Sequence, residues 1–244
     1  SAGVGVFVDS MLRHSPNAVD TGNHLLVFDY YIDLPRGGTL EQGAVTPALL
    51  RDKPMAVFAS HNHHDHFNPI ILDWKRQYPD ISLYLGDDIP PREEAKTVPP
   101  GLTVEENGLT ITALRSTDQG VAFVVECDNN TIYHAGDLNW WHWDGEPEEW
   151  NEEMGRSYRR QVDLLAGRKI DLAFLPADPR LGRTQLWGAE YFLEKVSPSA
   201  WVPMHFWKKY GIFAAMEQSP QWPLLSRGLV KLEHRGEKIV LEGG

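Results

Sequence analysis

Eight residues, Ser60-His61-Asn62-His63-His64-Asp65-His66-Phe67, hold four of the chain's ten histidines and one aspartate. The segment spells H-x-H-x-D-H, and imidazole with carboxylate is a donor set that suits zinc, iron or manganese. In an extended segment alternate side chains share a face, so His61 and His63 can grip one ion. The turn that follows swings Asp65 and His66 to the other side, where they can hold a second. His64 falls between the ligand positions and is given no role. The plain alternative is a solvated histidine-rich loop, but ligand spacing this specific is seldom accidental. Two ions ~3.5–4 Å apart would activate a shared water for attack on an electrophilic carbonyl or phosphorus.

One turn cannot complete two coordination spheres, so further ligands must come from other strand ends. TIYHAGDLN places His134 and Asp137 just past an apolar run, with Gly136 permitting a tight turn. WVPMHFW places His205 directly after another. Alone, an aspartate after glycine is usually a turn former and a lone histidine is usually structural. Their company with the first cluster is what promotes them.

The elements that must position these residues are short strands in the first half and alternating helices and strands in the second. Strands are expected over 4–9, 24–31, 55–60, 81–85, 109–114, 121–127 and 131–134, with Asp128-Asn129-Asn130 as a hairpin turn. Met55 to Ala59 is the apolar run that delivers the histidine cluster, and a helix should begin at Pro69. Residues 87–100, acidic and proline-rich, read as a surface connection, and Pro35-Arg36-Gly37-Gly38 as a loop. A long helix is expected over 148–167 with Tyr158, Val162, Leu164 and Leu165 on its apolar side. The strand 170–175, the helix 187–196, the strand 200–204 and a helix from near Tyr210 follow, and two strands, 230–233 and 238–241, close the chain. Alternating β and α blocks imply sheets covered by helices.

Composition bounds the partners. The 244 residues carry 34 acidic against 23 basic side chains, a net charge of −11. Nucleic acid and anionic membranes both need a basic face, so neither is expected as a partner; a small-molecule substrate is, and homo-oligomerisation is left open. A single cysteine, Cys127, cannot form an internal disulfide, and no stretch approaches the apolar length of a membrane span. A cytoplasmic location is expected.

In chain order, SHNHHDH, HAGD and VPMH resemble the successive metal motifs of the metallo-β-lactamase superfamily, and the resemblance covers nearly the whole chain. YHAGD and IDLAFLPAD are most similar to the branch of metal-dependent hydrolases that contains ascorbate-phosphate lactonases and related phosphodiesterases. The resemblance implies an α/β (α+β) fold, a four-layer αββα sandwich forming a single hydrolase domain over residues 1–244. It implies a dinuclear site at one sheet edge: Asp137 bridging, His205 on the second metal with Asp65 and His66, and Asp29 of HLLVFDYY as the supporting aspartate. The cofactors would be two divalent ions, zinc first, with manganese or iron as alternatives.

The chain departs from that pattern at one point. The family usually supplies a third histidine to the first metal from the loop before the bridging aspartate. Here that loop is LRSTDQGVAF, and no histidine occurs between His66 and His134. Asp118 could replace it, Thr117 could hold a water, or His134 could serve. Replacing imidazole by carboxylate favours a harder ion than zinc.

The expected activity is cleavage of a small anionic ester, lactone or phosphodiester by a metal-bound hydroxide, with Asp65 orienting the nucleophile. His134, His14 and His142 are candidate leaving-group acids. LNWWHWDGEPEEW follows Asp137 directly; its four tryptophans either pack the long helix against the sheet edge or form a wall or lid over the metal mouth, and Trp140 and His142 are candidate substrate contacts. Lys208, in FWKKYG, and Arg180 and Arg183, in DPRLGR, are anion contacts by charge. The alternative reading is a degenerate, non-catalytic member of the fold that binds or senses through one ion, for which the absent histidine is the best support.

Overall fold

In the computed structural model the described residues are 4–8, 17–31, 38–39, 45–50, 52–234 and 237–241. The loop expected at 35–37 and the candidate acid His14 lie outside them. Two sheets form. The first has seven strands, in the order β13 (Glu237–Leu241), β1 (Val4–Val8), β2 (Asn17–Asp20), β3 (Leu25–Phe28), β4 (Met55–Ala59), β5 (Ser82–Leu85) and β6 (Lys96–Thr97). The second has six: β12 (Ala200–Met204), β11 (Leu172–Pro176), β10 (Asn130–His134), β9 (Val121–Cys127), β8 (Leu109–Arg115) and β7 (Thr103–Glu106).

The strands β3 to β6 run parallel, as do β10 to β12. Parallel neighbours need crossover segments, which helices supply except between β5 and β6: α1 (Pro47–Leu50), α2 (Ile70–Gln77), α3 (Glu148–Asp163) and α4 (Trp187–Val196). Two further helices, α5 (Gly211–Gln218) and α6 (Trp222–Leu225), follow β12.

Period-two alternation explains the layering. On β3 and β4, Leu26, Phe28, Ala56 and Phe58 point between the sheets, where they join Tyr84, Phe123 and Phe174. Their neighbours Leu25, Val27, Met55 and Val57 point outward and are covered by Ile71, Leu72 and Trp74 of α2. Each strand is therefore buried on both faces, which is why its sequence is a continuous apolar run. On the far side α3 and α4 cover the second sheet through Tyr158, Val162 and Phe192, completing four layers. Burying a side chain such as Phe58 in that inter-sheet core stabilises the fold by roughly 1.5–3 kcal/mol.

Several expectations need correction. Residues 87–100 are not only a surface connection: Lys96 and Thr97 add an edge strand beside β5, and Val98 is fully buried. The strands β2 and β7 carry polar residues and show too little apolar alternation to be read from sequence. Residues 230–233 form no strand; Leu229 makes a single bridge to Trp201 instead. Finally, α3 ends at Asp163, so Leu164 falls on its cap and is exposed rather than packed. The Asp128-Asn129 turn forms as expected, with both residues at positive φ, 50° and 62°, the conformation a two-residue hairpin with right-twisted strands requires.

Candidate metal centre

The site residues follow the carboxyl ends of parallel strands, which in a sheet of this kind open on a common crevice. Asp29 follows β3, Ser60 and His61 follow β4, Asp137 lies just beyond β10, and His205 follows β12. Asp29 and His205 have φ of 50° and 63°. Left-handed backbone is uncommon for residues other than glycine and marks where the chain is bent to aim a side chain.

Ser60 is the point where the two sheets meet. Its carbonyl accepts from Val121 N at 3.0 Å, joining β4 to the start of β9. That approach requires glycine at two places. A Cβ on Gly120 would stand 2.1 Å from Ser60 O, and one on Gly136 would stand 2.7 Å from Ser60 Cβ; both glycines have positive φ.

From this scaffold two donor sets converge: His61, His63, Asp118 and Asp137 in one, and His66, Asp137 and His205 in the other. Asp137 belongs to both. Its Oδ2 lies 3.4 Å from His61 Nε2, and its Oδ1 lies 3.3 Å from His66 Nε2 and 3.1 Å from His205 Nε2. His63 Nδ1 stands 2.9 Å from His61 Nε2 and 3.7 Å from Asp118 Oδ2.

Outer partners fix the tautomers. Ser60 Oγ donates to Asp29 Oδ2 at 2.7 Å, so His61 Nδ1, 2.9 Å away, must donate to Ser60 Oγ. His66 Nδ1 donates to Asp29 Oδ2 at 2.7 Å. Both rings thus turn Nε2 toward the centre, as metal-ligating histidines with an anchored second nitrogen do.

The donors fit a pair of cations. Asp137 Oδ1 is buried and receives no hydrogen bond of good geometry, a costly state for a carboxylate oxygen in a protein interior. The electrostatics agree. Burial opposes ionisation of Asp29 and Asp137, yet the surrounding imidazoles hold both well below the usual carboxylate range. Burial would lower His66, but the Asp137 and Asp29 carboxylates outweigh it and push the imidazole up to about 9. Burial and Asp137 raise Asp118. Ionised carboxylates that keep a neighbouring imidazole protonated form a cation site that a proton can fill.

A cavity of about 450 Å³ lies over the centre. His63, Asp65, Asp118, Asp137 and His205 line its floor, and Trp141, Trp143, Trp150, Trp207 and Arg180 line its walls. Asp65 faces this cavity but belongs to neither close donor set. Arg180 is held by fully buried Asp178, which accepts from its Nε at 2.9 Å and its Nη2 at 2.5 Å.

Other expected residues stand elsewhere. His134 is buried behind the donor sets, stacked 4.9 Å from Phe28, with Nδ1 accepting from Gly136 N and Nε2 against the Asn17 amide. Burial pushes it down to about 4, and His134 belongs to neither donor set and does not line the cavity. Thr117 ties its hydroxyl to the Asn139 backbone rather than keeping it for a water at the centre. Trp140 packs between α3 and α4 against Trp187, and His142 sits 4.9 Å from the same ring; neither lines the cavity. Lys208 is exposed and also lies outside it. Of the LNWWHWDGEPEEW segment, expected as a wall over the metal mouth or as helix packing, Trp141, Trp143 and Trp150 line the cavity; sequence reasoning missed Trp207 as a cavity residue and Asp178 as the partner of Arg180.

No protein-family model and no curated protein matches the chain. Solved structures do. Igni18, a metallo hydrolase from the archaeon Ignicoccus hospitalis, aligns over 98% of this chain and all of its own at TM-score 0.65 and 17% identity. The metallo-β-lactamase fold protein YhfI of Bacillus subtilis aligns over 98% and 100% at 0.60 and 14%. CmlA, a diiron β-hydroxylase of Streptomyces venezuelae, aligns over 96% of this chain and 54% of its own at 0.55 and 12%. The chain has the metallo-β-lactamase fold.

Proposed function

We propose that the chain is a metal-dependent hydrolase, a single domain over its 244 residues, that cleaves a small anionic ester, lactone or phosphodiester. The observation that carries this reading is one buried carboxylate, Asp137, shared by two donor sets at the floor of a cavity. A lone structural ion needs neither a bridging carboxylate nor a cavity. His61, His63, Asp118 and Asp137 would hold one cation, and His66, Asp137 and His205 the other. When bound, such a pair lowers the pKa of a water toward neutrality and neutralises charge that develops on the substrate. Asp65 faces the same cavity and serves to orient the attacking water and take its proton. Arg180 turns Nε and Nη2 toward Asp178, so its remaining nitrogen points away from that carboxylate and can meet an anionic group.

Asp118 bears on the metals. It stands where the resemblance calls for a third histidine, so the centre is not short of a ligand, which weighs against a non-catalytic relative. The set it completes is rich in carboxylate and favours manganese or iron over zinc; CmlA, of the same fold, is a diiron protein. No helix among the described residues is long and apolar enough to cross a membrane. A cytoplasmic location is proposed from the lone buried thiol Cys127, and a small molecule rather than nucleic acid as partner from the charge of −11.

Metal analysis with a turnover panel tests the reading. About two equivalents of divalent metal per chain are expected, with ester or phosphodiester turnover that falls at least about 100-fold in Asp65→Ala while the metal stays bound. One equivalent or none, with no turnover on a broad panel, leaves a binding protein instead.

A further inference from the structure

Indoles line the cavity beside the donor sets, and several are fixed by contacts of their own: Trp141 lies 6.0 Å from the His205 ring. Trp141 and Trp143 stack with centroids 6.0 Å apart and planes within 2° of parallel. Trp141 Nε1 donates to the Asp137 carbonyl at 2.9 Å, and Trp207 Nε1 donates to Asp178 Oδ2 at 3.4 Å. The Arg180 guanidinium lies 4.7 Å from the Trp207 ring centre and 5.6 Å from that of Trp143. Asp178 pins that cation from below and balances its charge.

Trp150 is different. It stands in the first turn of α3, with Met154 one turn further along the same face, and both line the cavity. Its side chain is 39% exposed. Leu102, Leu164 and Val240 are the other large apolar side chains exposed among the described residues, and none of them borders this cavity. An indole left in water at the mouth of a polar-floored cavity marks a binding surface rather than a packing one.

We infer that the indole wall, above all Trp143 and the exposed Trp150, seats a planar aromatic ring of the substrate, so that the hydrolysed ester or lactone carries an aryl group. Polar floor and apolar wall divide the work: Arg180 and the donor sets meet the charged, reacting end, and Trp143 and Trp150 meet the flat end. Ring-on-ring contact adds to the burial that any apolar group of the same size would gain, so an aromatic ring binds better than its saturated counterpart. The inference rests on the hydrolase reading and extends it to the substrate.

A matched pair separates the two. Phenylacetate and cyclohexylacetate carry the same acid on a six-membered ring, flat and aromatic in one, puckered, saturated and slightly larger and more apolar in the other, so that burial alone would favour the second; their ethyl esters share one leaving group. Calorimetric titration of the metal-loaded protein is expected to show phenylacetate binding about tenfold more tightly. Ethyl phenylacetate should be hydrolysed with a KM lower by a similar factor. In Trp150→Leu and Trp143→Leu the preference should shrink toward one, with metal content unchanged. Equal affinity for the two acids, no binding of either, or a preference that survives both substitutions would overturn the aromatic seat. Absence of ester turnover with the binding preference intact would count against hydrolysis while leaving the seat standing.

Discussion

Asp118 is the residue on which the character of the centre turns. It lies 3.7 Å from His63 and is about two-fifths exposed, so it meets an ion with less desolvation than Asp137 bears. Asp118→Ala should therefore remove about one metal equivalent and spare the set built on His66 and His205, as elemental analysis would show; retention of both equivalents would exclude Asp118 as a ligand. Asp118→His restores the family's three-histidine pattern and should shift competition among added metals toward zinc. His134 is a buried structural group, and its titration has a definite sign. Folded, its pKa is held down to about 4 by burial; unfolded it returns to about 6.5. Its stabilising contribution is complete above pH ~6.5 and drains away as pH falls through 4, about 3 kcal/mol in all. Urea unfolding at pH 7 and pH 4.5 should show a steeper loss for the native chain than for His134→Gln; equal losses would refute the assignment. His66 titrates in the opposite sense: pushed up to about 9, it must lose its proton before a metal can bind, so metal affinity should rise with pH across the neutral range.

At the scale of elements, the turns matter more than the strands they join. Gly120 and Gly136 let two loops approach Ser60 more closely than any Cβ allows, and both have left-handed backbone. Gly136→Ala combines a backbone penalty with a clash against Ser60 and should cost on the order of 2 kcal/mol or more, read as a lower Tm. It should also weaken metal binding, because the same turn aims Asp137. A Tm within one degree of the native value would show that the turn relaxes freely. The helix α3 shows how a boundary of a few residues matters. Helical periodicity continues through Leu164 in sequence, but the helix stops at Asp163, which turns Leu164 out to solvent. The segment from Asp137 to Trp150 divides its four tryptophans: Trp140 goes into the α3–α4 interface, while Trp141, Trp143 and Trp150 go to the cavity. Spacing alone could not sort them, because the segment before α3 has no regular period.

For the whole molecule, the two sheets act as a clamp whose jaws carry the halves of the centre. Asp29, His61 and His66 come from the first sheet, and Asp118, Asp137 and His205 from the second. Cations bridging the two should stabilise the sandwich in proportion to their saturation. Removing them with a chelator is expected to lower Tm by several degrees, and re-addition should restore it; a chelated protein of unchanged Tm would mean that the sheets hold the geometry unaided.

The histidine cluster, the apolar run before it, and the later Asp137 and His205 were legible in the sequence because ligand spacing and strand periodicity are local properties. So was the two-sided burial of β3 and β4, written as unbroken apolar runs. The edge strands β6 and β7 were not legible, since pairing at an edge is settled by the neighbour rather than by the strand's own residues; β2, inside the first sheet, was hidden by its short, partly polar run Asn17–Asp20. The place of Asp118 in the first donor set, the retreat of His134 behind it, and the sorting of the tryptophans between helix interface and cavity wall were decided only when the sheets packed. Each depends on distances between segments far apart in the chain, which a linear pattern does not contain.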